Sequence, residues 1–266
     1  MEPPSPFAVL RRPRRVWAVA SVHGEAGRLR ALHAAIARRI EPGDRLVYLG
    51  NVIGRGDEAT ECVDEVLRFR RAFLSQRGAF APDVALLRGA QEEMWQRLLQ
   101  LQFAVNPQDV LEWLVAQGAG ATVEAYGGRL KTGFSAARQG AAAITRWTGE
   151  LRAEFQKRPG HQSWLSALSH AAYSDDGALL LAHRGIDPDR PLDAQADVFW
   201  WGARAFDGIA APYGGFRRVV RGFDPRHRGL VEGSYTLSID AGCGFGGGLL
   251  AACVTTDGTI SDLVEA

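Results

Sequence analysis

Cysteine is scarce in this chain, neither sign of charge dominates, and no apolar run is long. Each absence excludes a class of protein. The three cysteines, Cys62, Cys243 and Cys253, are odd in number and fall inside predicted elements. They read as buried thiols in a reducing compartment rather than as a disulfide framework. The formal net charge is +1, so no whole-protein field argues for nucleic acid or a membrane surface as partner. No apolar stretch reaches the roughly 20 residues that a membrane-spanning helix requires. The opening residues carry prolines and a basic cluster but no apolar core, which is not the pattern of a secretory signal. The expectation is a flexible basic tail over residues 1–15, then a single domain over 16–266, in the cytoplasm. No internal repeat is visible.

What the chain does have is a globular balance. Of its 266 residues, 46% are hydrophobic and 23% charged, enough to bury a full core. The organising stretch is LVYLGNVIGRG at 46–56. An aliphatic run stops at a glycine and opens into a polar loop, the pattern of a buried strand delivering functional residues to one edge of a sheet. VWAVASVHG at 16–24 and VALLRGAQE at 84–92 repeat the design. Helical periodicity follows each strand: Leu29, Leu32, Ile36 and Ile40; Cys62, Val63, Val66 and Leu67; Met94, Trp95, Leu98 and Leu99. The first hundred residues therefore read βαβαβα, which predicts a parallel sheet.

Residues 101–160 read as a helical excursion. Asn106-Pro107 is a helix start carrying Val110, Leu111, Trp113 and Leu114, and 135–157 reads as one long helix or two short ones. The remainder turns to β, with short strands expected at 178–183, 217–221, 235–239, 249–255 and 259–264, the last two joined through an Asp257-Gly258 hairpin. These strands are expected to form a second sheet packed on the first. Gly244 to Gly248 lacks the lysine and helix of a phosphate-binding P-loop and reads as a tight connection between strands.

The loops, taken in order, resemble the metallophosphoesterase (calcineurin-like phosphoesterase) superfamily, in its branch of serine/threonine protein phosphatases and diadenosine tetraphosphatase-like hydrolases. That family runs GDxHG, GDxxDRG, GNHE, HAG and GHT. This chain reads ASVHG at 20–24, GNVIGRG at 50–56, GAQE at 89–92, HRG at 183–185 and GFD at 222–224. Softer similarities at AYGG, FWWGARAF and IDAGCGFGGGLLAACV extend the match over nearly the whole chain. The resemblance implies an α/β fold, a four-layer α/β/β/α sandwich of two mixed sheets. It also implies a pair of divalent metals activating a bridging water.

Carried across residue by residue, the resemblance places Ser21 at the first aspartate and Asn51 at the bridging one. Ala90 stands for the asparagine ligand and Phe223 for the last histidine. Gln91 stands where the leaving group would be protonated, and Gly54 where an aspartate would orient that acid. Only His23 and His183 keep their ligand types, with Asn51 a neutral third. Glutamine is no general acid near neutral pH. A rebuilt one-ion site is an alternative, drawing its acid from Asp187, Glu92, Asp224 or Asp240.

What remains is basic. Arg55 and Arg204 stand where the resemblance puts phosphate-clamping arginines, and Arg88 and Arg184 adjoin the motifs. Guanidinium groups suit bidentate contact with phosphate oxygens. Against this, Arg55 and Arg88 also fit as ties for loop carbonyls. His33, His161, His170 and His227 read as surface or packing residues, and Trp200-Trp201 as core. The expectation is an impaired or inactive phosphatase-like protein with no cofactor, binding a phosphorylated small molecule or phosphoprotein and neither nucleic acid nor membrane. The alternatives are an active phosphoesterase using manganese or another divalent metal, and a structural interaction module.

Overall fold

The computed structural model describes residues 6–202 and 206–266. Two mixed sheets with their helices make an α/β fold, the sandwich the sequence predicts. The five-stranded sheet runs β11-β10-β2-β3-β4. Its centre is β2 (Arg15–Val19), β3 (Asp44–Tyr48) and β4 (Val84–Leu86), which pair in parallel as the βαβ reading requires. The crossovers are α1 (Ala26–Ala37) and α2 (Ala59–Leu74), and α3 (Ala90–Leu99) follows β4. The aliphatic residues of the predicted inner faces are buried, with Ile40, Leu67 and Leu99 at the margin of the core.

The six-stranded sheet runs β1-β5-β6-β7-β9-β8. Its strands are β1 (Phe7–Leu10), β5 (Ala171–Ser174), β6 (Leu179–Ala182), β7 (Arg218–Arg221), β8 (Gly229–Glu232) and β9 (Thr236–Asp240). Two expectations are corrected here. First, the segment read as a flexible tail contains an ordered strand. Phe7 to Leu10 pair in parallel with Ala171 to Ser174, and Leu10 is fully buried; residues 1–5 lie outside the described residues. Second, the closing strands β10 (Leu250–Thr255) and β11 (Ile260–Glu265) do not extend the second sheet. β10 returns to the first and pairs antiparallel with β2, with Cys253 opposite Trp17. Its run of small and β-branched side chains, buried at every position but the last, suits a central strand covered on both faces. The Asp257-Gly258 hairpin forms, with Asp257 accepting bonds from the Thr259 N–H and from two threonine hydroxyls. All three cysteines are free and buried.

The middle of the chain is helical: α4 (Pro107–Ala116), α5 (Ala119–Ala125), α6 (Leu130–Gln139), α7 (Ala141–Lys157) and α8 (His161–Ser166). The stretch read as one or two helices is two, divided at Gly140 (φ 102°). The excursion is tied to α2 by a chain of bonds that runs from the core to the surface. The Tyr126 hydroxyl donates to His161 Nδ1 (2.7 Å), and His161 Nε2 donates to Asp64 (3.1 Å). His33 plays a similar part between α1 and α2. Its Nδ1 donates to Glu65 (2.6 Å), while the Tyr48 hydroxyl donates to its Nε2 (2.8 Å). Both histidines are therefore bonded core residues rather than surface ones.

Candidate functional site

The loops after β2, β3, β4, β6, β7 and β9 converge at the carboxyl ends of strands from both sheets. Backbone bonds stitch them together. The Val22 and His23 amides donate to the Asn51 carbonyl (2.9 and 2.7 Å), and the Ser21 amide to that of Gly222 (3.0 Å). Glu92 fastens the second loop to the third. Fully buried on α3, it accepts the N–H groups of Asn51 (2.8 Å), Val52 (2.7 Å), Ile53 (3.2 Å) and Gly89 (2.8 Å). Burial raises its pKa, and these bonds oppose the rise. A carboxylate spent on four amides is a scaffold, not a metal ligand. This corrects its place among the candidate acids.

Among the described residues, six non-glycines adopt positive φ, and four of them are here: His23 (55°), Asn51 (53°), Arg55 (50°) and His227 (50°). Left-handed backbone at a residue with a Cβ costs about 1 kcal/mol or more and persists where the surroundings over-determine it. The shared strain marks the loop cluster as a built feature.

Asn51 decides what the centre can hold. The Gln91 amide donates to its Oδ1 (2.9 Å), which fixes the other end as Nδ2, lying 3.2 Å from His23 Nε2. An amide nitrogen is donor only, so His23 accepts through Nε2. Burial, with His183, Arg55 and His227 nearby, holds its pKa well below the ordinary value, so the ring is neutral and carries its proton on Nδ1. The His23 lone pair that a cation would need is therefore taken, and Asn51 Oδ1 already accepts the Gln91 backbone N–H. His183 differs: its Nδ1 donates to the Leu49 carbonyl (2.8 Å), leaving Nε2 a bare acceptor. Burial takes its pKa down to about 3.

Phe223 fills the remaining space. Its ring stacks on His183 (5.5 Å between centroids) and meets His23 at 5.8 Å. Gln91 occupies the volume that a side chain on Gly54 would need. A Cβ on Gly54 would come within 2.4 Å of the Gln91 amide. Gln91 Nε2 in turn donates to the Gln117 carbonyl at the end of α4 (2.8 Å), and the Arg55 amide donates to that of Gly118 (3.0 Å).

The other candidate acids are engaged elsewhere. Asp224 pairs with Arg221 (3.0 Å) and Arg228 (2.7 Å). Its burial pushes its pKa up, but the Arg228 bond and its other partners prevail and lower it. Asp187 holds its own turn through the Asp189 amide and Arg190. Asp240 accepts from the amides of Asp224 and Gly242 and from His227. Among the described residues, no three His, Cys, Asp or Glu side chains converge to hold a metal ion. A two-metal centre does not fit these residues.

The arginines separate into two kinds. Arg88 is committed to α3, donating to Gln96 (2.8 Å) and Glu93 (3.3 Å), and its carbonyl receives the Trp200 indole. These bonds match the reading of Arg88 as a structural tie, while its Nε is buried without a partner. Arg55 and Arg184 make no ion pair or hydrogen bond with a carboxylate among the described residues, and Asp224 acts on the Arg184 charge without bonding to it. Arg55 lies 3.9 Å over the ring of Phe245, and Arg184 5.4 Å from that of Phe223. Burial lowers the pKa of each, and Arg184 Nε is buried without a partner. Arg204 lies outside the described residues.

Two site residues escaped the sequence reading. Phe245, on the glycine-rich loop 242–248, touches Arg55, His23 (5.3 Å) and His227 (4.0 Å). The lack of a β-carbon at Gly244 lets that loop press against the His23 side chain, with 2.4 Å separating the would-be Cβ from that of His23. His227, expected as a surface or packing residue, faces the same rings. Neither carried a motif to reveal it.

No family model matches the chain, and no curated protein matches it by sequence. Solved structures do. One assigned as a diadenosine tetraphosphatase is 21% identical over 97% of this chain and 98% of its own, with a TM-score of 0.55. The fold is that of the calcineurin-like metallophosphoesterases. A Saccharomyces cerevisiae serine/threonine phosphatase with similarity to human phosphatase PP5 superposes with a TM-score of 0.52 at 11% identity, covering 98% of this chain and 83% of that one. A metallophosphoesterase from Sphaerobacter thermophilus gives 0.50 at 15%, covering 95% and 88%. On this fold the side chains where the loops meet form an aromatic and imidazole cluster flanked by guanidinium groups.

Proposed function

We propose that this protein is a metallophosphoesterase-fold receptor for a phosphorylated ligand, small molecule or phosphoprotein, and that it does not hydrolyse it. The observation that carries the reading is the Asn51 amide directed at His23. It spends the imidazole lone pair and replaces the charge that would hold two dications close together. The Gln91 amide is far too weak an acid to protonate a leaving group. Arg55 and Arg184, which make no ion pair or hydrogen bond with a carboxylate among the described residues and are partly desolvated, supply planar donors for an oxyanion. Arg204 joins them on the strength of its motif position.

Three measurements test this on the full chain. Protein incubated with manganese and desalted is expected to retain no stoichiometric metal by mass spectrometry. The same sample is expected to turn over no aryl phosphate. Titration with inorganic phosphate or a phosphopeptide should give saturable binding that weakens at least about tenfold in Arg55→Ala with Arg184→Ala, the loss of two charge-assisted contacts. Retained metal with turnover that disappears in His23→Ala or His183→Ala would overturn the reading in favour of an active enzyme. Unchanged binding in the arginine variants would overturn the pocket.

A further inference from the structure

The chain has six histidines, and their bonding separates one from the rest. His33 and His161 use both ring nitrogens. His23 Nε2 is taken by Asn51 and its Nδ1 is buried; His183 Nδ1 is taken by a carbonyl and its Nε2 is buried. His170 is held among the rings of Phe7, Phe199 and Trp200, with no hydrogen bond to a carboxylate among the described residues. Only His227 has one nitrogen anchored on a buried carboxylate while the other stays open. Its Nδ1 donates to Asp240 (2.9 Å), whose side chain is 2% exposed, and the His227 side chain is 22% exposed. Its Nε2 has no partner among the described residues.

The anchoring is rigid. Asp240 is fixed by the amides of Asp224 (2.8 Å) and Gly242 (2.9 Å), and the His227 amide is fixed by the Asp224 carbonyl (2.9 Å). A carboxylate on Nδ1–H sets the tautomer and orientation of the ring, so the lone pair resides on Nε2 and positive charge developing on the ring is balanced. The ring rests on Phe245 and reaches Phe223 at 5.6 Å. Those are the two rings that Arg55 and Arg184 approach.

We propose that His227 is a phosphoryl acceptor: its Nε2 takes a phosphoryl group from a small activated donor of the phosphoramidate class. The inference rests on the anion pocket proposed above. The Nε2 lone pair forms the bond to phosphorus. The bond from phosphorus to the donor nitrogen breaks, and its electron pair leaves on ammonia. The donor nitrogen is already protonated, so no further proton moves, and nothing is oxidised or reduced. The Nδ1 proton remains on the bond to Asp240, whose charge balances the phosphorylated ring, while Arg55 and Arg184 take the phosphoryl oxygens. This requires no metal and no acid at Gln91.

The test is incubation of the full-length protein with phosphoramidate, followed by peptide mass spectrometry that compares His227 with His170 as internal control. His227 is expected to label at least about tenfold faster than His170, the advantage of an activated nucleophile, and inorganic phosphate should slow it. Arg55→Ala, at an exposed side chain, should slow it too, and Asp240→Asn should bring His227 down to the His170 rate. Labelling of His227 no faster than His170 overturns the inference. So does labelling that inorganic phosphate and Arg55→Ala both leave unchanged. Calorimetry on the unlabelled protein separates the two proposals. Phosphate binding without selective labelling removes only His227 as acceptor, whereas no phosphate binding removes the pocket reading itself.

Discussion

Glu92→Gln is the most informative single change to the scaffold. The carboxylate accepts four backbone N–H groups, two on each oxygen, at 2.7 to 3.2 Å. An amide keeps one oxygen and turns the other into a donor. Whichever way it sits, two buried N–H groups then face an NH2. Hydrogen bonds to a charged acceptor are worth about 1.5–3 kcal/mol each, so the loss should be roughly 3–6 kcal/mol. For a chain of this size that lowers the melting temperature on the order of 10 °C. Urea unfolding followed by tryptophan fluorescence reads the change, with Glu93→Gln as neighbour control. Glu93 makes half-buried ion pairs with Arg88 and Arg97, and its loss should cost no more than about 1 kcal/mol. If Glu92→Gln costs no more than its neighbour, the loops are held by something other than this carboxylate, and the scaffold argument fails.

Acid should destabilise the fold before its carboxylates titrate. His183 has a native pKa of about 3 against an ordinary 6.5, and His23 shifts the same way. The unfolded chain therefore takes protons first, and stability falls as pH drops from about 6.5 towards 3, by about 1.4 kcal/mol per pH unit for each such histidine. Urea midpoints at pH 7 and pH 5 test this, and His183→Gln should flatten the dependence; equal slopes would contradict it. Asn51→Asp places a second oxygen against the His23 Nε2 lone pair and should make that ring take up a proton near neutral pH, visible as a new imidazole titration by NMR. Restoring the whole ligand pattern that the resemblance implies, with Ser21→Asp, Asn51→Asp, Ala90→Asn and Phe223→His together, should create manganese binding. Metal at about a hundred times its dissociation constant would then raise stability by about 2.7 kcal/mol, and no manganese-dependent rise would refute the assignment of those four positions. Phe223→Ala alone should cost roughly 2 kcal/mol, below the range for a fully buried phenylalanine because this ring is half-buried.

The legible part of the fold lay where one local signal sufficed. The aliphatic runs ending at glycine gave β2, β3 and β4 in parallel order, because a run buried on both faces needs no partner to be recognised. β1, β5 and β8 are four-residue strands, too short to show alternation. The sheet that β10 joins was also hidden, since its pairing with β2 spans most of the chain and sequence order does not encode strand neighbours. The site divides in the same way. Ser21, Asn51, Ala90 and Phe223 were readable as departures from the motifs that the loops resemble. The Asn51–His23 bond, the Gln91–Gln117 bond and the His227–Asp240 pair are tertiary juxtapositions across 28, 26 and 13 positions, and composition carries no trace of them. Arg88 illustrates the converse: its place beside a motif suggested an anion contact, and no sequence signal showed that its Nη1 bonds Glu93 and Gln96 on the following helix.

The carbonyls of Gln117 and Gly118, at the junction of α4 and α5, hold the Gln91 side chain and the Arg55 amide respectively. Gly118 sits at φ 103°, with the Arg55 side chain where its own Cβ would be. The excursion thus meets the pocket through consecutive peptide groups rather than through side chains. Side chains along α4 are free to diverge so long as the helix packs, but the count of residues between α4 and α5 is not. One residue added or removed there would rotate both carbonyls off their donors at once. In this protein the pocket therefore depends on chain length at that junction and on glycine at 118, more than on the side chains along α4.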